Sequence, residues 1–445
     1  MRKLTVKNFS VIKEAELEFG KITVLMGPQA SGKSLLCKLA YFLGKHAIEE
    51  ALTHILSQNS SGLSAYLEFK ESLTRDFLEW FPFDMWKQEG SLALFESSTY
   101  RAQISVNMQF GGVEIALSKE FEELFHNLTG LIQQLPHGGA DSRRYIAEQV
   151  RAQLYLLQSY TSGSLPSDTF IDRPIYIPDG RAFFANQSLG FNLVNNPEID
   201  PILKEFSLEI SWGGARSPDP ILGEEGVRTL HEISREIVRI AGGNVESRNG
   251  SARFRRTLDG KSIPLPLLSS GTQAMLPMLN VLWQMITEQR GRILFPRADN
   301  LPGMPDQIVL SKGLVYVEEP EANIFPRTQY ELVRLLAWLS QEWRLDFSWV
   351  ITTHSPYILS SFNNLIEATQ VATARPELKD EVAKLIPEQY WIKTSDFKAY
   401  CIHDGNLESI MDSETGLVSA NYLDNVSEVI GVEFDELLRL GYVES

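Results

Sequence analysis

Gly27-Pro28-Gln29-Ala30-Ser31-Gly32-Lys33-Ser34 is the stretch whose reading decides the fold. Ile22–Met26, a short apolar run, enters it and reads as a buried strand. Ser34–His46 leaves it with a helical pattern. Strand, glycine loop, helix is the context in which this pattern forms a phosphate loop. Gly27 and Gly32 permit backbone conformations that other residues resist. Successive N–H groups then turn inward and, with the helix N-terminus, cradle phosphate oxygens. On this reading Gly27, Pro28, Gln29, Ala30, Ser31, Gly32, Lys33 and Ser34 bind the nucleotide. Lys33 reaches the terminal phosphates, and the Ser34 hydroxyl ligates Mg²⁺. The plain alternative is a Gly/Ser-rich turn ahead of a helix.

A second signal lies far downstream. Leu314-Val315-Tyr316-Val317 reads as another buried strand and ends in Glu318-Glu319. Unpaired buried carboxylates are costly, so two of them at a strand end call for a cation or a chemical task. Paired with a phosphate loop, Glu318 is expected to help hold Mg²⁺ and Glu319 to polarise an attacking water. Positioning water and neutralising developing charge are most of what phosphoryl transfer requires. Without the loop, a solvated strand end would be the better reading.

Two further segments complete the set. In Leu268-Ser269-Ser270-Gly271-Thr272-Gln273, small residues precede a helix and can present N–H groups and a hydroxyl to a phosphate. The competing reading is a helix cap on Ser269 or Ser270, with Gln273 as its capping-box partner. In Ile351-Thr352-Thr353-His354-Ser355-Pro356, His354 follows an apolar strand. It sits where open α/β sheets place their ligands and is a candidate γ-phosphate sensor.

The chain has 445 residues, 43% hydrophobic and 22% charged, with a net charge of −16. These are ordinary values for a globular protein with more than one domain. No apolar stretch approaches the roughly 18 residues that span a bilayer, so no membrane association is expected. The N-terminus lacks the apolar core of a signal peptide. Two cysteines, Cys37 and Cys401, make no disulfide framework, which fits a reducing cytoplasm. The acidic balance is concentrated after residue 400. It works against nucleic-acid binding, which depends on neutralising phosphates. The basic runs Arg143-Arg144 and Arg253-Phe254-Arg255-Arg256 keep a local DNA contact open.

Organisation follows from the same pass. Lys3–Phe9 alternates like an edge strand, with Ala15–Phe19 as its partner. Residues 47–169 hold helical stretches such as Arg143–Tyr160, an aromatic cluster from Phe77 to Trp86, and a hairpin from Gln103–Phe110 into Val113–Leu117. They read as a mainly helical insertion with some hairpin. Residues 1–46 and 170–360 form the expected discontinuous α/β core with a mixed sheet. Within it, residues 207–262 suggest a strand, a helix over Glu224–Ala241 and a hairpin around Arg248-Asn249-Gly250. Residues 290–312 are Pro-rich and irregular. Residues 361–445 read as an acidic C-terminal α/β extension. No heptad run is long enough for a coiled-coil arm.

Taken in order, these segments resemble the ABC-type ATPase heads of the RecF, SMC and OLD group. Leu268–Gln273 is similar to that group's Leu-Ser-Gly-Gly-Gln signature, with departures at Ser270 and Thr272. Glu318-Glu319-Pro320-Glu321-Ala322-Asn323-Ile324-Phe325-Pro326 resembles the Glu-Glu-Pro-Glu-Ala-His-Leu-His-Pro segment of OLD-like ATPases, with both histidines replaced. Tyr176-Ile177-Pro178-Asp179-Gly180-Arg181 is similar to a Tyr-Ile-Pro-Ala-Glu-Arg segment, which makes Arg181 a candidate contact. The resemblance implies ATP and Mg²⁺ as ligands, with Lys33, Glu319 and His354 serving hydrolysis. It implies a head-to-tail dimer in which Ser269, Ser270, Gly271 and Gln273 face the partner's nucleotide. Glu321 falls where the loop coupling the two sites is expected.

The Asp-x-Asp of OLD nucleases does not occur in residues 357–445, so nuclease activity is not expected in this chain. Membrane-transporter ATPases usually hold the signature closer to the carboxylate motif, which disfavours that class. ATPases of this build occur in bacterial phage defence, in the PARIS (AriA-like) and Septu (PtuA-like) types, where they restrain a separately encoded effector. By that analogy the expected partners are further copies of the chain and an effector protein. A RecF-like ATPase that clamps DNA is the alternative.

Overall fold

The computed structural model describes residues 2–57, 63–86, 90–97, 100–107, 112–133, 173–185, 198–210, 223–248, 251–292, 313–342, 347–419, 432–435 and 437. Its strands are β1 (Lys3–Phe9), β2 (Ile12–Glu18), β3 (Ile22–Met26), β4 (Leu92–Glu96), β5 (Arg101–Asn107), β6 (Gly112–Leu117), β7 (Arg173–Ile177), β8 (Gly243–Arg248), β9 (Ser251–Arg256), β10 (Ser262–Pro264), β11 (Gly313–Glu318), β12 (Phe347–Thr353), β13 (Phe397–His403) and β14 (Asn406–Ser409). Eleven of them form one sheet, in the order β6-β5-β4-β1-β2-β14-β13-β3-β12-β11-β7; β8, β9 and β10 form a second.

The large sheet has two characters. The block β13-β3-β12-β11-β7 is parallel throughout. The arm β2-β1-β4-β5-β6 is antiparallel. The β13–β14 hairpin joins them, β14 running parallel to β2. This is a mixed α/β sheet with the glycine loop Gly27–Gly32 leaving the end of β3.

Helices cover both faces. They are α1 (Lys33–Tyr41), α2 (Ala47–Ser57), α3 (Leu63–Trp80), α4 (Lys119–Gln133), α5 (Pro201–Glu209), α6 (Gly223–Ala241), α7 (Ser270–Arg292), α8 (Pro326–Gln341), α9 (Pro356–Ala374) and α10 (Lys379–Leu385). Strand alternation divides β11 between two cores. Val315 and Val317 share one with Leu332, Leu336 and Phe362. Leu314 and Tyr316 share the other with Leu36, Tyr41 and Phe77. A parallel strand buried on both faces has no solvent side, which is why β11 reads as an unbroken apolar run.

Several expectations change at this point. Lys3–Phe9 is an interior strand, because Leu92–Glu96, which the sequence did not reveal, pairs along its outer side. Residues 92–117 contribute three strands to the main sheet, so the segment expected to be mainly helical also extends the core's own sheet. Phe397–His403, expected in an extension, lies beside the phosphate-loop strand. Ser207–Glu209 closes helix α5, and residues 211–222, where most of the strand expected ahead of Glu224 would fall, lie outside the described residues. The helix after the loop does not stop at His46. A π-helical turn, Phe42–His46, leads it into α2. The expected helix Arg143–Tyr160, Arg143-Arg144, most of the Pro-rich stretch, and Asn249-Gly250 lie outside the described residues.

The aromatic run is core. Trp86 stacks on Phe9 at 4.5 Å, and Phe77 and Phe81 close around the pair edge-on. Trp86 is 1% exposed, and its indole N–H donates to the Phe81 carbonyl.

Candidate functional site

Three parallel strands bring the motifs together. In the sheet register Thr353 of β12 lies beside Met26 of β3, and Glu318 of β11 lies beside Thr352 of β12. The phosphate loop, His354 and Glu319 therefore leave the same edge of the sheet, from adjacent strands. This is the C-terminal edge, where ligands bind in open α/β sheets.

The loop has the backbone its sequence demands. Gly32, with φ 104°, directly precedes α1 and sits close enough to Ile12 that a Cβ would lie 2.5 Å from its Cδ1. Ala30 also takes a left-handed conformation, with φ 59°, which no local pattern predicts. The Lys33 ammonium is buried and folds back to donate to the Gly27 and Pro28 carbonyls, each at 2.8 Å. Burial lowers its pKa, and Glu319 is the chief opposing influence. The Ser31 hydroxyl is buried with no hydrogen-bond partner among the described residues. A buried donor without an acceptor, beside a lysine held only by carbonyls, fits a loop shaped for phosphate oxygens. Ser34 is exposed at the first turn of α1.

The two carboxylates at the end of β11 are held differently. Glu318 is buried; Oε1 accepts from the Tyr176 hydroxyl at 2.7 Å and Oε2 from the Asp179 N–H at 3.1 Å. A carboxylate has about four acceptor positions, so both oxygens can still receive a metal-bound water. Tyr176 and Asp179 lie roughly 140 positions away in sequence, and no local pattern pairs them with Glu318.

Glu319 turns off the strand with φ 42°. For a non-glycine residue this conformation costs of order 1–3 kcal/mol and persists only where neighbours enforce it. Its N–H donates to the Thr352 carbonyl at 3.0 Å, and its own carbonyl accepts from Arg181 at 2.8 Å. The turn aims its carboxylate at His354, with Oε1 to Nε2 at 2.9 Å; both side chains are about one-third exposed. Burial raises the Glu319 pKa, Asp179 and Glu321 raise it further, and His354 and Lys33 oppose them.

Glu321, expected on a loop coupling two subunits, acts within its own chain. Its Oε1 accepts from the Thr353 hydroxyl at 2.6 Å and the His354 N–H at 2.7 Å, so it fixes the histidine's backbone. Arg181 is fully buried and donates only to backbone carbonyls. That position rules out direct contact with a ligand.

The signature segment lies beside this cluster. Ser269 and Ser270 are exposed; the Ser269 hydroxyl accepts from the Thr272 backbone N–H at 3.4 Å, capping α7, and lies 2.9 Å from the Thr272 hydroxyl. Gln273 is not the capping-box partner. Its amide donates to the Pro266 and Leu268 carbonyls, bracing the turn before the helix. Gly271 packs against the loop after Glu319, where a Cβ would lie 2.3 Å from the Asn323 carbonyl oxygen. That approach explains the glycine without any second subunit.

The basic run on β9 is partly engaged by its neighbours. Arg256 makes a two-pronged pair with Asp259, Arg253 donates to Ser262, and Arg255 lies 4.0 Å from Glu246. No helix among the described residues is long and apolar enough to cross a membrane.

Comparison with known proteins gives a partial match. Residues 195–359 match the family model of an AAA ATPase domain, a span that includes the signature, Glu318-Glu319 and His354. No curated protein matches the chain. Among solved structures, the SMC head domain from Thermotoga maritima is similar at 12% identity, covering 92% of this chain and 97% of that one, with a TM-score of 0.35. The Smc head domain with an extended coiled coil, bound to the C-terminal domain of ScpA, from Pyrococcus furiosus, is 11% identical over 98% of this chain and 99% of that one, with a TM-score of 0.36. An ATP-binding cassette of an ABC transporter in its ADP conformation is 11% identical over 98% and 99%, with a TM-score of 0.34. Likeness this distant says nothing about chemistry. The domain match supports an ATPase domain over residues 195–359.

Proposed function

We propose that this chain binds and hydrolyses ATP. The reading is carried by one observation: Glu319, held in a left-handed turn, meets His354 at 2.9 Å on the strand edge from which the phosphate loop also departs. In this reading Lys33 leaves the Gly27 and Pro28 carbonyls for phosphate oxygens, and the free Ser31 hydroxyl donates to the same group. Glu319 orients the attacking water and receives its proton. His354 holds that carboxylate in place and lies where a terminal phosphate would be sensed. Ser34 and Glu318 are the residues that would hold Mg²⁺, which supplies neutralising charge to the phosphates.

We further propose that two copies close head to tail, so that Ser269, Ser270 and Gly271 of one face the nucleotide of the other. ATP favours the closed pair and hydrolysis releases it, a population shift driven by differential affinity. The controlled object is a separately encoded effector, in the setting of phage defence. Support for that last step is the motif resemblance, an analogy of family and not of geometry. The pairing of Arg256 with Asp259 works against the DNA-clamping alternative.

The test uses tagged Glu319→Gln, expressed from its native operon and purified with ATP. A stoichiometric protein from the adjacent gene supports effector control. Nuclease-sensitive DNA without a protein partner replaces it with the DNA-clamping reading.

A further inference from the structure

Arg181 sits in the turn Asp179–Ala185 that follows β7, and none of it reaches solvent. Its guanidinium makes four hydrogen bonds: Nε to the Ala274 carbonyl at 2.9 Å, Nη1 to those of Pro178 at 3.0 Å and Glu318 at 2.7 Å, and Nη2 to that of Glu319 at 2.8 Å. The acceptors belong to three segments. One is the first turns of α7, one the end of β7, and one the strand end that carries both carboxylates. A buried cation normally takes a carboxylate partner; among the described residues this one donates only to backbone carbonyls. Burial lowers its pKa, and the Asp179, Glu321, Glu318 and Glu319 carboxylates around it favour the charged form.

A second contact joins the same elements from the other side. Gly271 approaches the Asn323 carbonyl so closely that a Cβ would lie 2.3 Å from it. Between the two contacts runs the loop Glu319–Phe325, with left-handed residues at Glu319 and Asn323. The start of α7 and this loop are therefore fastened at both ends, by a guanidinium fork and by direct backbone packing.

We propose that Arg181 is a positioning residue that makes the signature end of α7 and the Glu319 loop one mechanical unit. A force applied at Ser269–Gly271 passes through the Ala274 carbonyl and the guanidinium to the Glu319 carbonyl, and so to the side chain aimed at His354. Lysine cannot substitute, because one ammonium cannot serve four acceptors on three segments as a planar fork does. The kinetic consequence rests on the ATPase reading above; the mechanical one does not.

The experiment compares full-length wild type with Arg181→Lys by amide hydrogen exchange, nucleotide titration and steady-state kinetics. Peptides covering 268–274 and 318–325 are expected to exchange about tenfold faster in the variant, with the phosphate-loop helix unchanged. ATP affinity and KM stay within about twofold, while kcat falls roughly 30-fold or more. Unchanged exchange in both peptides overturns the proposal. Faster exchange with unchanged kcat overturns the link to hydrolysis. A wild type that turns over no ATP defeats the functional reading, yet exchange still decides the coupling. Should Arg181→Lys fail to fold, Gly271→Ala strains the second contact instead. Loosening that reaches Glu318–Glu319 and the Asp179–Ala185 turn supports the unit, and loosening confined to 268–274 and the residues around Asn323 overturns it.

Discussion

Glu319 Oε1 and His354 Nε2 lie 2.9 Å apart, although 35 positions separate them in the chain. Each is held from behind: Glu319 by Thr352 and Arg181, His354 by the Glu321 carboxylate on its backbone N–H. Glu319→Gln keeps the shape and removes the base. ATP binding should persist while turnover falls about 10²–10⁴-fold, the usual contribution of a general base. Lys33→Ala should lose ATP binding itself. Calorimetric titration beside a phosphate-release assay separates the two outcomes, and full hydrolysis by Glu319→Gln would show that another group activates the water.

The acid limb of turnover should lie above the ordinary glutamate range. Burial and then Asp179 raise the Glu319 pKa, and the base works only when deprotonated, so kcat should fall as pH drops through that raised value. Asp179→Asn removes the like charge, and the limb should move to lower pH. A limb that stays in place would mean that Asp179 does not act on the base.

Stability should respond to the other end of the pH scale. His46 lies between Asp76 at 2.9 Å and Glu205 at 3.2 Å. Burial alone would lower its pKa, but these two carboxylates prevail and push it up to about 9. A group whose pKa is higher folded than unfolded stabilises fully below its unfolded value and loses that contribution as pH rises through the folded one. The rise is worth on the order of 3 kcal/mol. Between pH 6.5 and 9 the melting temperature of wild type should decline more than that of His46→Gln. Parallel declines would remove the role. Both imidazole nitrogens are engaged by the Asp76 and Glu205 carboxylates, and Glu50 accepts from the Ser72 hydroxyl, so the cluster of His46, Glu50 and Asp76 is explained by partly buried pairing.

Trp86→Ala should destabilise the chain by about 3–5 kcal/mol, the range for deleting a buried large aromatic side chain. It removes the stack on Phe9 and the hydrogen bond to Phe81. Denaturant unfolding measures this. A loss below about 1 kcal/mol would mean that the ring packs less tightly than its burial indicates.

DNA binding offers a separate check. Arg256 is already paired with Asp259, and Arg255 lies near Glu246, so double reversal to glutamate should leave any DNA retention unchanged. Loss of a salt-sensitive DNA complex on reversal would favour the clamping alternative.

Local grammar carried much of the site. The phosphate loop, the strand ending in Glu318-Glu319, and His354 after a strand are each contiguous, so composition and spacing reveal them. What the sequence hid is non-local. Tyr176 and Asp179 clamp Glu318 across the sheet, and nothing within a few residues of either marks the pairing. Leu92–Glu96 is short, and nothing local marks it as the outer partner of β1. Arg181 was noticed only by resemblance, and its burial beneath the Glu319 loop replaces a ligand contact with a scaffolding one. Gln273 has the spacing of a capping box, but the Pro266 and Leu268 carbonyls were closer at hand.

The placement of β13 bears on how the protein is made. Phe397–His403 pairs with the phosphate-loop strand along its whole length, and the Ile402 carbonyl lies where a Cβ on Gly27 would meet it at 2.8 Å. A nascent chain therefore exposes one side of β3 until residue 403 has been synthesised. Pairing across such a separation is slow to form. Nucleotide capture becomes a late event in biogenesis, and fragments released before residue 403 should be unable to retain ATP.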